Sequence, residues 1–173
     1  MTNAALQSIL NSITVIIDTR EHAEGNCFAI KQWLETNHIP YVQRCLKFGD
    51  YSFEADGRSY ENEIVIERKS GLTELSGNLA QSRERFENEM QRAKDVGAQV
   101  VLMVENGNWD AIIEHKYRTD FNEKSFLASL LSFQHRYPLN IQFIPAKYSA
   151  SFIYSQFYYY LREKLKQQEA VSA

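Results

Sequence analysis

ITVIID at 13–18 is a largely apolar, β-branched run closed by Asp18, the pattern of a strand buried on both faces. Between 24 and 37, Phe28, Ile30, Trp33 and Leu34 recur at roughly helical spacing and Pro40 follows. A helix is expected there, ending before the proline. PYVQRCLKF and DYSFEA read as strands, DGRS at 56–59 carries turn chemistry, and NEIVIERK pairs back as the next strand. QSRERFENEMQRAKDVG predicts a helix, with Phe86, Met90 and Ala93 at i, i+4 and i+7 and Gly97 where a C-terminal cap belongs. QVVLMVEN is another buried strand. A short helix at 108–114 follows, then a helix at 123–136 bearing Phe126, Leu127, Leu130 and Phe133, a strand NIQFIP, and a last helix from about 149.

Strands alternating with helices define an α/β fold with an antiparallel hairpin inside it. The 173 residues suit one domain. We place it at 13–168, after an N-terminal extension at 1–12 and before a dispensable tail at 169–173. Neither an internal repeat nor a low-complexity linker interrupts it. A chain that is 44% hydrophobic and 24% charged is ordinary for a soluble domain. It contains no run of 18 apolar residues, so no membrane span is expected. The N-terminus lacks the basic segment of a secretory leader. Cys27 and Cys45 form neither a disulfide framework nor a metal-ligand spacing, which points to a reducing, intracellular home. A net charge of −3 argues against a protein that simply coats DNA. It leaves open a nucleic-acid enzyme, whose metal-holding acids count against the total.

The hairpin GDYSFEADGRSYENEIVIERK carries the candidate chemistry. Glu67-Arg68-Lys69 ends an apolar strand with charges, where burial without a partner costs several kcal/mol. A hairpin midpoint between Arg58 and Ser59 sets Asp50 opposite Glu67 on strands about 4.8 Å apart. Opposed carboxylates repel; a divalent cation converts that repulsion into ligation, and Mg²⁺ needs only one or two carboxylates besides water and phosphate. Lys69 shares the face of Glu67 because strand side chains alternate. Such a cluster suits hydrolysis of a phosphodiester: a metal to polarise phosphate and acidify water, an ammonium to stabilise developing charge. Taken alone, an E-x-K triplet is most often a solvated edge. Asp18 and Glu21 form a second acidic pair just beyond the first strand, where ligands of α/β sheets gather; the plainer reading has Asp18 capping a turn and Glu21 paired with Arg20 or Lys31.

Together, VIIDTRE, FGDY, VIERKS and QSRERFENEMQRAK…VVLMVEN resemble the nuclease domain of the XPF-type structure-specific endonucleases, a branch of the restriction-endonuclease-like superfamily. The family signature is Gly-Asp, a spacer, Glu-Arg-Lys, three residues and Asp. Gly49-Asp50, 16 residues and Glu67-Arg68-Lys69 match it in order, and the likeness spans about 18 to 150. The resemblance implies a single-domain, restriction-endonuclease-like fold with a central mixed sheet flanked by helices. It further implies Mg²⁺ or Mn²⁺ held by Asp50, Glu67 and the Arg68 carbonyl, with Asp18 and Glu21 as the upstream acids, Glu21 near the metal. Asp50, Glu67, Lys69 and Glu21 would be catalytic, and Arg68, Arg83 and Arg20 would contact DNA. Branched or flapped DNA is the implied substrate, repair or recombination the setting, and a bacterial or phage-like cytoplasm, or another intracellular place, the implied home.

Two departures stand out. The final Asp of the signature falls at Thr73, with Glu74 the nearest acid. A tandem helix-hairpin-helix module is expected to have no room after this domain, so DNA grip is expected from the domain, a homodimer or a separate DNA-binding partner protein.

Other features have plain readings. The helix at 81–95 mixes both charges, as solvated faces do; Arg83, near its start, is the expected phosphate contact. The four histidines show no metal spacing, and His22, beside Glu21, reads as a surface residue. SFIYSQFYYYLREKLKQQ is aromatic on several sides, which suits a terminal helix packed across the domain, a homodimer interface or, third in order, base stacking on single-stranded DNA. The function expected is a metal-dependent DNA endonuclease. Its rivals are a catalytically inactive DNA-binding or scaffolding module of the same fold and another restriction-like nuclease, such as a junction resolvase.

Overall fold

The computed structural model describes residues 2–21 and 26–172, with the side chains of Asn26, Val171 and Ser172 left aside. Seven strands form one sheet: β1 (Thr14–Ile17), β2 (Tyr41–Gln43), β3 (Tyr51–Ala55), β4 (Arg58–Ser59), β5 (Ile64–Lys69), β6 (Gln99–Glu105) and β7 (Leu139–Ile144). The order is β2-β1-β3-β5-β6-β7, with β4 paired to β3. β3 runs antiparallel to β1 and β5, whereas β1–β2, β5–β6 and β6–β7 are parallel. Parallel neighbours need crossovers, and helices supply them. α2 (Asn26–Thr36) joins β1 to β2; α3 (Leu72–Ala80) and α4 (Arg83–Asp95) join β5 to β6; α5 (Trp109–Ile113) and α6 (Glu123–Arg136) join β6 to β7. The result is the expected mixed sheet flanked by helices in one domain.

The unbroken apolar runs follow from burial of both faces. In β6, Val101 and Met103 enter a core shared with α1 (Asn3–Asn11), α2 and α7 (Ser149–Ser172). Val100, Leu102 and Val104 enter a second core under α3 to α6. Full burial of each such side chain contributes about 1.5–3 kcal/mol.

Four features differ from the sequence reading. Residues 3–11 form α1, whose Leu10 reaches the first core. α3 was not expected; its Leu72, Leu75 and Leu79 recur at i, i+3 and i+7 and are buried, a stripe interrupted by Gly77 and polar residues. β2 is three residues long, because beyond Gln43 the chain leaves the edge to bind Asp18 through the Leu46 amide. The hairpin turn lies at Asp56-Gly57, both with positive φ (49° and 72°), pairing Ala55 with Arg58. The segment from Tyr60 to Glu63 then bulges before β5 rejoins β3, with Tyr51 opposite Ile66. The slip is an even number of residues, so each side chain keeps its face, and the far end has the register that puts Asp50 beside Glu67.

α7 is a packed terminal helix. Ile153, Phe157 and Leu161 are fully buried in the first core, while Tyr159 on another side is 57% exposed. Among the described residues, no helix is long and apolar enough to cross a membrane.

Candidate active site

Gly49 sets the geometry of the cleft. Its φ is +72°, and a Cβ there would lie 2.8 Å from Val65 Cβ, so the chain turns into β3 where only glycine is accommodated without strain. Asp50 follows, held on three sides. Its amide donates to the Ile66 carbonyl at 2.8 Å, its carbonyl accepts from the Asp18 amide at 2.8 Å, and its Oδ2 accepts from the Arg68 amide at 2.7 Å.

On β5 the alternation of side chains separates two sets. Glu67 and Lys69 share one face, with Lys69 Nζ 2.6 Å from Glu67 Oε1, 3.6 Å from Glu74 Oε1 and 5.5 Å from the centre of the Phe86 ring. Arg68 points the other way. Its guanidinium donates through Nε and one terminal nitrogen to Glu105 at 2.8 and 3.1 Å, and contacts Glu21 at 3.3 Å. Glu105 also accepts from the Ser149 hydroxyl, and Tyr51 donates its hydroxyl to Glu21 at 2.8 Å. Arg68, 10% exposed along its side chain, therefore orients Glu21, and its guanidinium is largely committed within the protein.

The cleft is lined by the carboxylates Glu21, Asp50, Glu67, Glu74 and Glu89 and by the cations Arg20, Arg68, Lys69, Arg85 and Arg92. Burial pushes the Asp50 carboxyl well above its usual range, and Glu67 and Glu21 add to the effect. Burial likewise raises Glu67, to about 7, against the pull of Lys69. Burial opposes the Lys69 charge, but Glu67 and Asp50 outweigh it and hold the ammonium above its ordinary value.

Among the described residues, no three His, Cys, Asp or Glu side chains converge into a ready-made metal cluster. The donor set nevertheless fits a hard divalent cation that keeps most of its water. Glu67 Oε2 is buried with no hydrogen-bond partner, and an orphaned carboxylate oxygen in such a place calls for a cation or a water. Asp50 is the neighbouring carboxylate on the same cleft.

Asp18 and Arg83 lie outside the cleft lining. Asp18 is absent from the lining and fully buried; its oxygens accept from the Arg20 side chain and amide and from the Leu46 amide. Burial opposes its charge, yet these bonds hold its pKa below the usual range. It braces the loops around the cleft, with both carboxylate oxygens engaged in these bonds. Arg83 points away: it bonds Glu87 and Ser129 and lies over Phe133. Glu74 accepts from the Ser70 amide and hydroxyl just ahead of α3 while facing Lys69. His22 falls outside the described residues.

Arg85, Glu89 and Arg92 were missed. They follow one another at i, i+4 and i+7, one position before the buried stripe Phe86, Met90 and Ala93. The stripe that sets which face of α4 meets the sheet therefore also sets which neighbouring face meets the cleft.

A mixed sheet that brings an Asp, a Glu and a Lys to one cleft has the architecture of a nuclease domain. The chain belongs to the ERCC4 domain family, whose model matches residues 17–155. Its fold is similar to that of XPF from Aeropyrum pernix, with a TM-score of 0.64 and 21% identity over 90% of this chain and 69% of that one. XPF from the same organism in complex with DNA aligns with a TM-score of 0.58 and 22% identity, over 90% of this chain and 66% of that one. No curated protein matches the chain by sequence.

Proposed function

We propose that this protein is a divalent-metal-dependent endonuclease that hydrolyses phosphodiester bonds in branched or flapped DNA. One observation carries the reading: Asp50, Glu67 and Lys69 meet in a cleft where a buried Glu67 oxygen has no partner. Asp50 and Glu67 would hold Mg²⁺ or Mn²⁺, with the Arg68 carbonyl as a further donor and Glu21 close by. When bound there, the ion supplies polarisation of a phosphate oxygen and a more acidic water.

The chain's own groups do the rest. Lys69 Nζ, kept protonated by its two acidic neighbours, stabilises negative charge developing on the phosphate. Arg68 and Tyr51 hold Glu21 at the rim. Arg20, Arg85 and Arg92 form the cationic border against which the DNA backbone is steered. The DNA complex of XPF from Aeropyrum pernix, on the same fold, supports a nucleic-acid substrate.

The test is a cleavage panel of flap, fork, four-way junction and linear duplex with Mg²⁺ or Mn²⁺. Expected is cutting of branched substrates, lost in EDTA and reduced at least about 100-fold by Asp50→Asn. Binding without cutting would assign the domain to an inactive DNA-binding role; preference for the four-way junction would make it a resolvase.

A further inference from the structure

The Gly49 amide donates to no strand. It crosses to α4 and meets Glu89 Oε1 at 3.0 Å. Three positions further along α4, Arg92 Nε donates to the Lys47 carbonyl at 3.0 Å. Between these two anchors Phe48 is buried in the core under α4. Helix α4 thus grips the segment before Asp50 at both ends, by a carboxylate on an amide and a guanidinium on a carbonyl.

We propose that Glu89 is a positioning residue: it fixes the Gly49-Asp50 turn from α4, so that Asp50 stays beside Glu67. This rests on the reading of the cleft given under Proposed function. A left-handed glycine is the softest point of this segment, since its backbone has more freedom than any other residue. A hydrogen bond accepted by an ionised carboxylate is roughly twice as strong as one between neutral groups. It removes the freedom of the residue immediately before the Asp50 carboxylate. The same helix face carries Arg85 and Arg92 on the cleft, so a phosphate pressed on that face bears on the helix that holds Asp50.

The experiment compares the full chain with Glu89→Ala and Glu89→Gln, the latter keeping an acceptor oxygen of the same reach. The first readout needs no activity: hydrogen exchange of the Gly49 amide by NMR in metal-free protein. Expected is exchange at least about 10-fold faster in E89A with the rest of β3 and β5 still protected, and within about threefold of wild type in E89Q. The second readout is flap cleavage. E89A lowers kcat about 10-fold or more with KM for DNA within about twofold, and E89Q restores most of the loss.

Unchanged Gly49 exchange in E89A overturns the proposal, as does E89Q behaving like E89A, or faster exchange with wild-type kcat. If the wild-type chain cuts no substrate, the nuclease reading fails, and the exchange measurement still decides whether Glu89 holds the turn.

Discussion

Replacing Gly49 with alanine tests the geometry on which the cleft is built. Forcing an L side chain into the left-handed region costs about 1–2 kcal/mol, partly offset by about 0.4–1 kcal/mol because alanine restrains the unfolded chain. Gly57 isolates this net effect. Its φ is also +72°, and a Cβ there would have no neighbour within 4 Å, so Gly57→Ala should cost about 1 kcal/mol. At Gly49 the new methyl would meet Val65 Cβ at 2.8 Å and Cγ2 at 2.9 Å, atoms of a short branched side chain buried in β5. Neither can swing aside, so overpacking adds about 1–3 kcal/mol. Gly49→Ala should therefore cost about 2–4 kcal/mol, which lowers Tm by about 5–15 °C in a domain of this size.

Urea titration of both variants and of the Gly49→Ala/Val65→Ala pair measures this. Removing the Val65 methyls relieves the Cγ2 contact and leaves Cβ in place, so the pair should recover only part of the cost, about 0.5–1 kcal/mol of coupling. If G49A and G57A differ by less than about 0.5 kcal/mol, the close approach of Gly49 to Val65 does not govern this turn.

Further outcomes follow from the same cleft. Lys69→Ala should abolish cleavage of branched DNA while circular dichroism stays native, and Asp50→Asn should do so without lowering metal-free stability, because a neutral amide replaces a carboxyl whose charge burial already opposes; undiminished cutting by either refutes their assignment. The pH response has a defined sign. The folded state holds protons on Asp50 and Glu67 that the unfolded state releases, since burial raises both. Their contribution is present below the ordinary carboxyl range and lost as pH rises through about 7. Urea midpoints in EDTA should thus carry a component that falls between pH 5 and 8 and vanishes in D50N/E67Q, and Mg²⁺ should raise the midpoint more at pH 8. Arg85→Ala and Arg92→Ala should weaken flap binding several-fold at low salt and reduce its salt dependence, whereas Arg83→Ala should leave it near wild type; equal losses for all three would contradict the observed facing of α4.

Much of the scaffold was legible because its signals are local. The strands β1, β5 and β6 and the helices α4 and α6 each announce themselves within one element, by an apolar run or a 3.6-residue stripe. Glu67 and Lys69 share a face for the same reason: strand alternation is a property of the backbone. Even the meeting of Asp50 with Glu67 survived a misplaced turn, because a slip by an even number of residues preserves facing.

What the sequence could not rank was partnership across distance. Asp18 and Glu21 look equivalent along the chain, yet the Leu46 amide, brought in by a loop 28 residues away, occupies Asp18, while Tyr51 and Arg68 hold Glu21 at the cleft. Arg83 and Arg85 are two residues apart on one helix, and only the packing of Phe86, Met90 and Ala93 decides that Arg85 faces the acids and Arg83 faces α6. Periodicity is written by backbone geometry and can be read from neighbours in sequence. Which charge meets which carboxylate depends on how whole elements rotate and dock, and that is decided only when the two cores close.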